Sequence, residues 1–355
     1  MKVAAVEAVP YALPFREPYV TARGRLERRE MALVRLRTDE GVEGLGEAVA
    51  MSLRGGAGAA SLAREVLDVA GPALVGLDVP ADLPPGLTAT SPAAAAALEV
   101  ALLDLTAKAA GLPLWRSLGA ESAKPVRCNA TLVAGPPTAV AADAERWAER
   151  GFATFKLKVG VPGDVGQVEA VRGAVGPRAR LRVDANGVWT PQDAVLRLTA
   201  MERHGIELAE QPAADLEDLA VVHNQTAIPI AADESVNSAD DARRATELGA
   251  CQLATVKLAK VGGITPARGI AGELPVYLSS ALDGPVGIAA AAHLAQVLRP
   301  AALWAGLAHG LATQLLFADT IASVECDLRG DLLHLPQGPG LGVEIDEAAL
   351  ERNRI

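Results

Sequence analysis

Between Phe155 and Lys260 five short apolar strings each end on a charged residue, and this ladder constrains the fold more than any other feature of the chain. Lys156-Leu157-Lys158 closes the first string, Arg182-Val183-Asp184 the second and Glu207-Leu208-Ala209-Glu210 the third. Ile230-Ala231-Ala232-Asp233 closes the fourth and Thr255-Val256-Lys257 the fifth. By subtraction of positions, the steps from Lys158 to Asp184, Glu210, Asp233 and Lys257 are 26, 26, 23 and 24 residues. Each step has room for one strand and one crossover helix, so the chain repeats a βα unit. Parallel units repeated in this way close into a barrel, and the carboxyl ends of its strands share one mouth.

Three carboxylates from three strands, Asp184, Glu210 and Asp233, would meet there without a His or Cys among them. An all-oxygen set of this kind suits a hard divalent cation, Mg²⁺ or Mn²⁺. Without one, the clustered acids repel and take up protons. Lys156 and Lys158 are two apart on a strand and face the same side, so each is expected to lower the other's pKa toward a value useful for a base. A cation holding a substrate carboxylate, with a base at the α-carbon, is a device for forming an enediolate. Taken singly, a Lys-x-Lys also fits a solvated strand face, and Asp184 before Ala-Asn-Gly also fits a turn. Five such charges closing five consecutive strings fit neither description.

The rest of the chain sets limits on this reading. With 355 residues, 50% hydrophobic and 21% charged, there is enough material for a barrel and a smaller domain. A net charge of −10 argues against nucleic acid as a partner. Cys128, Cys251 and Cys326 lie far apart with no CxxC spacing, which indicates neither a disulfide framework nor a zinc site and fits a cytoplasmic protein. The apolar N-terminal run is broken at Glu7 and Pro10, unlike a secretory signal. The uncharged run 300–318 is interrupted by Gly306, His309, Gly310 and Gln314 and reads as buried core, so no membrane partner is expected.

In chain order, residues 2–8, 30–38 and 44–48 alternate as antiparallel strands, and 14–24 is too rich in Pro and Gly for a strand interior, which makes it a surface hairpin or a mobile lid. Residues 59–118 are mainly helical. Strands followed by helices describe an α+β capping domain over 1–124, with its lid near 14–24. From 125 the rhythm is that of the barrel, which runs to 325: strand 126–133, helix 136–150, the ladder with its covering helices, a seventh strand 276–280, a helix over 287–298 and an eighth strand position at 308–313. The tail, 326–355, is expected to pack back onto the capping domain.

These motifs resemble the enolase superfamily, and within it the muconate lactonizing enzyme subgroup. The likeness rests on Lys156-Leu157-Lys158, Asp184-Ala185-Asn186, Glu210-Gln211-Pro212, Asp233-Glu234-Ser235, Lys257 with Gly262-Gly263-Ile264, and Pro339-Gly340-Leu341-Gly342. It implies a modified TIM barrel, (β/α)7β, with an α+β capping domain. It also implies that Asp184, Glu210 and Asp233 bind Mg²⁺, and that Lys158 and Lys257 act as acid/base groups on opposite faces of a small carboxylate substrate. Lys156, Arg182 and Asn186 would support them, and the chain would assemble as a homo-oligomer.

Within the subgroup, Ser279-Ser280-Ala281-Leu282-Asp283 and Gly310-Leu311-Ala312-Thr313, with Arg182 two before Asp184, look most like the o-succinylbenzoate synthases of menaquinone biosynthesis. The eighth position lacks the Asp-x-Asp that holds the substrate ammonium in dipeptide epimerases. The implied reaction is a syn dehydration, a lyase activity, with Ser279, Ser280, Asp283 and Gly310 around the remote substrate carboxylate. The full-length cap is more like that of a cycloisomerase or epimerase. N-acylamino acid racemase, dipeptide epimerase and lactone-forming cycloisomerase therefore stand as alternatives. From a different class, so does a metal-independent carboxylate-pair hydrolase.

Overall fold

The computed structural model describes residues 1–80, 84, 87, 90–298 and 304–355. The chain begins with a three-stranded antiparallel sheet, β1 (Val3–Thr21), β2 (Gly24–Thr38) and β3 (Glu43–Val49), in the order β1-β2-β3. Alternation along β2 divides its side chains between two cores, as the pleat requires. Met31 and Leu33 join the large core that includes the barrel, while Ala32, Val34 and Leu36 pack with α1 (Ala59–Leu74) and α2 (Pro92–Ala109). Gly44 and Gly46 allow the alanine-rich α2 to lie directly on β3, since a Cβ at Gly46 would stand 1.9 Å from the Ala97 carbonyl.

The segment 14–24, expected as a surface hairpin or lid too broken for a strand interior, is the hairpin end of the β1–β2 ribbon, but it stays in strand to Thr21, with Tyr19 opposite Leu26 and Thr21 opposite Gly24. The register shifts between Pro14 and Tyr19. Its prolines are accommodated because β1 is an edge strand, where a missing N–H leaves no ladder bond unmade.

After β4 (Val126–Arg127) comes a parallel sheet of seven strands: β5 (Ala130–Leu132), β6 (Thr154–Lys158), β7 (Arg180–Asp184), β8 (Ile206–Glu210), β9 (Ile230–Ala232), β10 (Leu253–Val256) and β11 (Val276–Leu278). Between them run α3 (Pro137–Glu149), α4 (Asp164–Val175), α5 (Pro191–Met201), α6 (Leu216–His223), α7 (Ala239–Leu248) and α8 (Ile264–Glu273), and α9 (Pro285–Ala295) follows β11. Three of the helices start on side-chain caps: Thr190, Asp215 and Ser238 each accept from a backbone N–H three residues on. This is the modified (β/α)7β barrel with an α+β cap.

Two strand expectations are corrected. The first strand, expected over 126–133, is divided: Val126–Arg127 pairs with β12 (Leu332–His334), and only Ala130–Leu132 enters the barrel. The eighth, expected over 308–313, shrinks to two residues, because the chain turns into a 3₁₀ segment from Ala312. His309 bridges Cys128 and Gly310 bridges Ser279, and these two parallel bridges close the barrel.

In the tail, Leu341 N–H donates to Asp104 at 2.7 Å and Arg35 pairs with Glu347 at 2.6 Å, while β12 pairs with β4, ahead of the first barrel strand. The three cysteines are buried and unpaired. Among the described residues no helix is long and apolar enough to cross a membrane. Of the uncharged run 300–318, residues 300–303 lie outside the described residues.

Candidate active site

Strand register aligns the ladder. Lys158 pairs with Asp184 across β6 and β7, and Asp184 with Glu210 across β7 and β8. Glu210 then pairs with Ala231, two residues before Asp233. Because side chains alternate, Lys156 lies one layer below Lys158 and Arg182 one layer below Asp184, all on the inner face. Asp184, Glu210 and Asp233 are fully buried, and Lys156, Lys158 and Lys257 nearly so.

Buried carboxylates must be compensated, and here lysines compensate them. Lys158 Nζ lies 2.5 Å from Asp184 Oδ2 and 3.1 Å from Asn186 Oδ1. Lys156 Nζ reaches both oxygens of Glu210 at 2.8 Å and Asp184 Oδ2 at 3.1 Å. Lys257 pairs with Asp233 Oδ2, and Lys260 lies 3.1 Å from Asp233 Oδ1. Lys260 also donates to the Val236 carbonyl at 2.9 Å, pinning the turn after β9. Below them the Tyr277 hydroxyl donates to Glu210, and Arg182 lies 5.1 Å from the Tyr277 ring centroid.

Lys156 does push the Lys158 ammonium down, as expected, but the net shift is not toward a value useful for a base. Burial and Lys156 push the Lys158 ammonium down, but Asp184 and Tyr19 outweigh them and its pKa is raised. Lys156 is held well above the ordinary lysine range by Glu210 and Asp184 against the cost of burial. Burial pushes the Asp184 carboxyl up, and Lys158, Lys156 and Lys257 together hold it far below the usual carboxylate range.

Asp184 and Glu210 thus share Lys156, whereas Asp233 is turned to Lys257 and Lys260. Among the described residues no group of three His, Cys, Asp or Glu side chains is arranged to hold a metal ion. The chemistry of the donor set nonetheless fits a hard divalent cation: only oxygen donors, on three adjacent strand ends, so buried that four ammonium groups stand against them.

Above the acids is a cavity of about 80 Å³. Lys156, Lys158 and Lys257 form its floor, Ser279 and Ser280 one wall, and the cap supplies Tyr19, Arg23, Arg29 and Met51. Arg23, at the ribbon tip, donates to the Asn186 carbonyl at 3.0 and 2.7 Å, tying the cap to the barrel mouth. Arg29 donates to the Ala281 carbonyl at 2.6 Å.

Of the residues singled out in the sequence, Lys156, Lys158, Lys257, Asn186, Ser279 and Ser280 line the cavity, with Asp184, Glu210 and Asp233 beneath it. Three lie elsewhere. Arg182 is pinned inside the barrel between Glu207, at 2.6 Å, and the Ala308 carbonyl, at 2.7 Å. Asp283 accepts from Ala281 N–H at 2.6 Å and faces Glu47 across the junction with the cap. Gly310 contributes close approach, since a Cβ there would stand 2.5 Å from Ser279 Oγ. Sequence reasoning missed Lys260, whose position three after Lys257, one helical turn on, was an available signal. It also missed Tyr277, two before Ser279 on the same strand. Arg29 and Met51 carried no local signal, whereas Tyr19 falls in the segment 14–24 read as a hairpin or lid.

Residues 3–119 match the model of the mandelate racemase / muconate lactonizing enzyme N-terminal domain, and 139–349 that of the enolase C-terminal domain-like family. The hydrophobic dipeptide epimerase of Enterococcus faecalis is 35% identical over 311 residues, 83% of this chain and 87% of that one. An o-succinylbenzoate synthase of Geobacillus stearothermophilus is 31% identical over 363 residues, 96% and 92% of the two chains. The crystal structure of the E. faecalis epimerase, complexed with Mg and the dipeptide L-Leu-L-Tyr, matches with a TM-score of 0.88 at 31% identity, covering 97% of this chain and 100% of that one.

Proposed function

This chain belongs to the mandelate racemase / muconate lactonizing enzyme family of the enolase superfamily, and from that premise we propose that it abstracts a proton α to a carboxylate, and that its reaction is the syn dehydration of o-succinylbenzoate synthase. Asp184, Glu210 and Asp233 would hold Mg²⁺. The ion would supply electrostatic stabilisation of the substrate carboxylate as charge develops on it.

Lys158 stands at the cavity floor to take the α-proton of a succinyl-hydroxycyclohexadiene carboxylate. Breaking that C–H bond leaves an enediolate, whose charge faces the Lys257 ammonium. The proton then held on Lys158 passes to the departing hydroxyl on the same face, so water leaves and the ring becomes aromatic. For this, Lys158 has to become neutral, and so the grip of Asp184 on its ammonium has to be relieved when substrate and cation are in place. Asn186 Oδ1, 3.1 Å from Nζ, orients the amine. Ser279 and Ser280 offer hydroxyls to the remote carboxylate.

One observation carries the choice of substrate. The charged residues lining the cavity are Arg23, Arg29, Lys156, Lys158 and Lys257, and no Asp or Glu lines it among the described residues. A dicarboxylate is matched by these cations, whereas the ammonium of a dipeptide finds no partner and meets like charge. A second reading, racemization of N-acylamino acids, is favoured by the presence of Lys158 and Lys257 in the same cavity, and an acylated nitrogen carries no charge. Turnover of the cyclohexadiene substrate, N-succinyl amino acids and free dipeptides distinguishes the three. The proposal expects loss of water from the first, and faster turnover of a dipeptide than of either acid would overturn it.

A further inference from the structure

The Gly262-Gly263-Ile264 motif that follows Lys257 has its partner in the cap. Lys257 leads into a helical turn, Leu258–Val261, which packs on α2 and buries Leu258, Ala259 and Val261. Gly262 and Gly263 then redirect the chain at φ of 96° and 126°, and α8 begins at Ile264. The first two N–H groups of α8 both donate to Glu99 on α2: Ile264 to Oε2, and Thr265 to Oε1 at 3.0 Å. A Cβ on residue 263 would stand 1.9 Å from Glu99 Oε2, so the close approach of the carboxylate requires glycine as much as the positive φ does.

Glu99 is buried, and a carboxylate at such depth is costly unless its hydrogen bonds are made. The N-terminus of α8 supplies the donors and a favourable dipole. These bonds fix where α8 starts, and with it the far end of the turn whose first residue is Lys257. The near end is fixed by β10, which ends at Val256. Lys158 is placed differently, as the last residue of a strand flanked by β5 and β7. Asp104, also on α2, accepts from Leu45 N–H at 2.8 Å and Leu341 N–H at 2.7 Å, and so anchors the same helix to β3 and to the tail.

We propose that Glu99 is a positioning residue for Lys257: through this one side chain the cap sets the place from which that lysine faces the α-carbon, while the barrel's own strands place Lys158. The inference rests on the α-proton reading for what the two lysines do.

Exchange of the α-hydrogen of each enantiomer of N-succinylphenylalanine, followed by proton NMR of the full chain in D₂O with Mg²⁺, separates the two lysines, because each enantiomer presents its hydrogen to one of them. Glu99→Ala slows exchange of the enantiomer served by Lys257 roughly tenfold to a hundredfold, the cost of a displacement on the order of 1 Å, and leaves the other enantiomer unchanged. Glu99→Gln, isosteric and able to accept one of the two bonds, shifts the ratio of the two rates in the same direction by less, and is read even where the alanine variant does not fold. Asp104→Asn, which disturbs α2 at its other anchor, leaves that ratio at the wild-type value. An unchanged ratio in both Glu99 variants, or a ratio shifted as far by Asp104→Asn, overturns the proposal. Absence of exchange of either enantiomer by the wild type would count against the α-proton reading, and the crystal structure of a Glu99 variant then decides the positioning role alone: Lys257 displaced from Asp233 supports it, and Lys257 in place beside Asp233 overturns it.

Discussion

Glu47 provides a measurable test of how the cap is joined to the barrel. It sits on β3, about 5% exposed, and accepts from Tyr11 Oη at 2.8 Å and from Gly284 N–H, at the start of α9, at 2.6 Å. A helix N-terminus favours an anion, yet burial, aided by the nearby Asp283, pushes the Glu47 carboxyl up from 4.5 to about 7. Its folded pKa is above its unfolded one, so the stability it contributes is fully present below pH 4.5 and is lost as pH rises through about 7. That gap corresponds to about 3 kcal/mol at pH 8. Glu47→Gln keeps an acceptor for Gly284 and turns its amide to the Tyr11 hydroxyl, which can accept. Urea unfolding from pH 4.5 to 8 should show the variant close to wild type at the acid end and more stable by up to about 3 kcal/mol at the alkaline end. Parallel curves for the two proteins, or a variant weaker than wild type at pH 8, would refute the buried, proton-holding role.

Other perturbations have equally definite outcomes. His293 is fully buried, with Nδ1 accepting from Trp115 N–H at 2.9 Å, and burial lowers its pKa to about 4. Its contribution is present above pH 6.5 and is lost as pH falls toward 4, so wild-type stability should drop there by about 3 kcal/mol, and a smaller slope in His293→Gln checks it. Gly310→Ala pushes Ser279 Oγ off its position and should lower kcat/KM roughly tenfold to a hundredfold with little change in the circular dichroism spectrum. Chelation of divalent metal should abolish turnover and Mg²⁺ should restore it, whereas activity that survives chelation would favour the carboxylate-pair hydrolase.

The parts of this molecule legible in its sequence are those fixed by local repetition. A charge at the end of each apolar string, one βα step apart, is enough to bring Lys158, Asp184 and Glu210 into register, because each strand end is set by its own crossover. Parts set by meetings between distant segments were not legible. Arg29 comes to the cavity only because the β1–β2 ribbon lies over the barrel mouth, and Met51 because it follows β3; nothing local to either residue records what it covers. The prolines of 14–24 argued against a strand, since the edge position that tolerates them is a property of the sheet and not of the segment. Arg182, read as a supporting residue two before Asp184, occupies the layer below the acids, where Glu207 and a carbonyl hold it over the Tyr277 ring. The eighth strand failed for a further reason, because two bridging residues close this barrel and a pair of residues has no periodicity to detect.

The central claim is that Lys158 and Lys257 face one α-carbon above the three acids. Proton NMR in D₂O with Mg²⁺, following the α-hydrogen of each enantiomer of an N-succinyl amino acid, tests it most directly. The account predicts exchange of both enantiomers by the wild type, loss of exchange for one of them in Lys158→Ala and for the other in Lys257→Ala. Undiminished exchange of both enantiomers in either variant would contradict it.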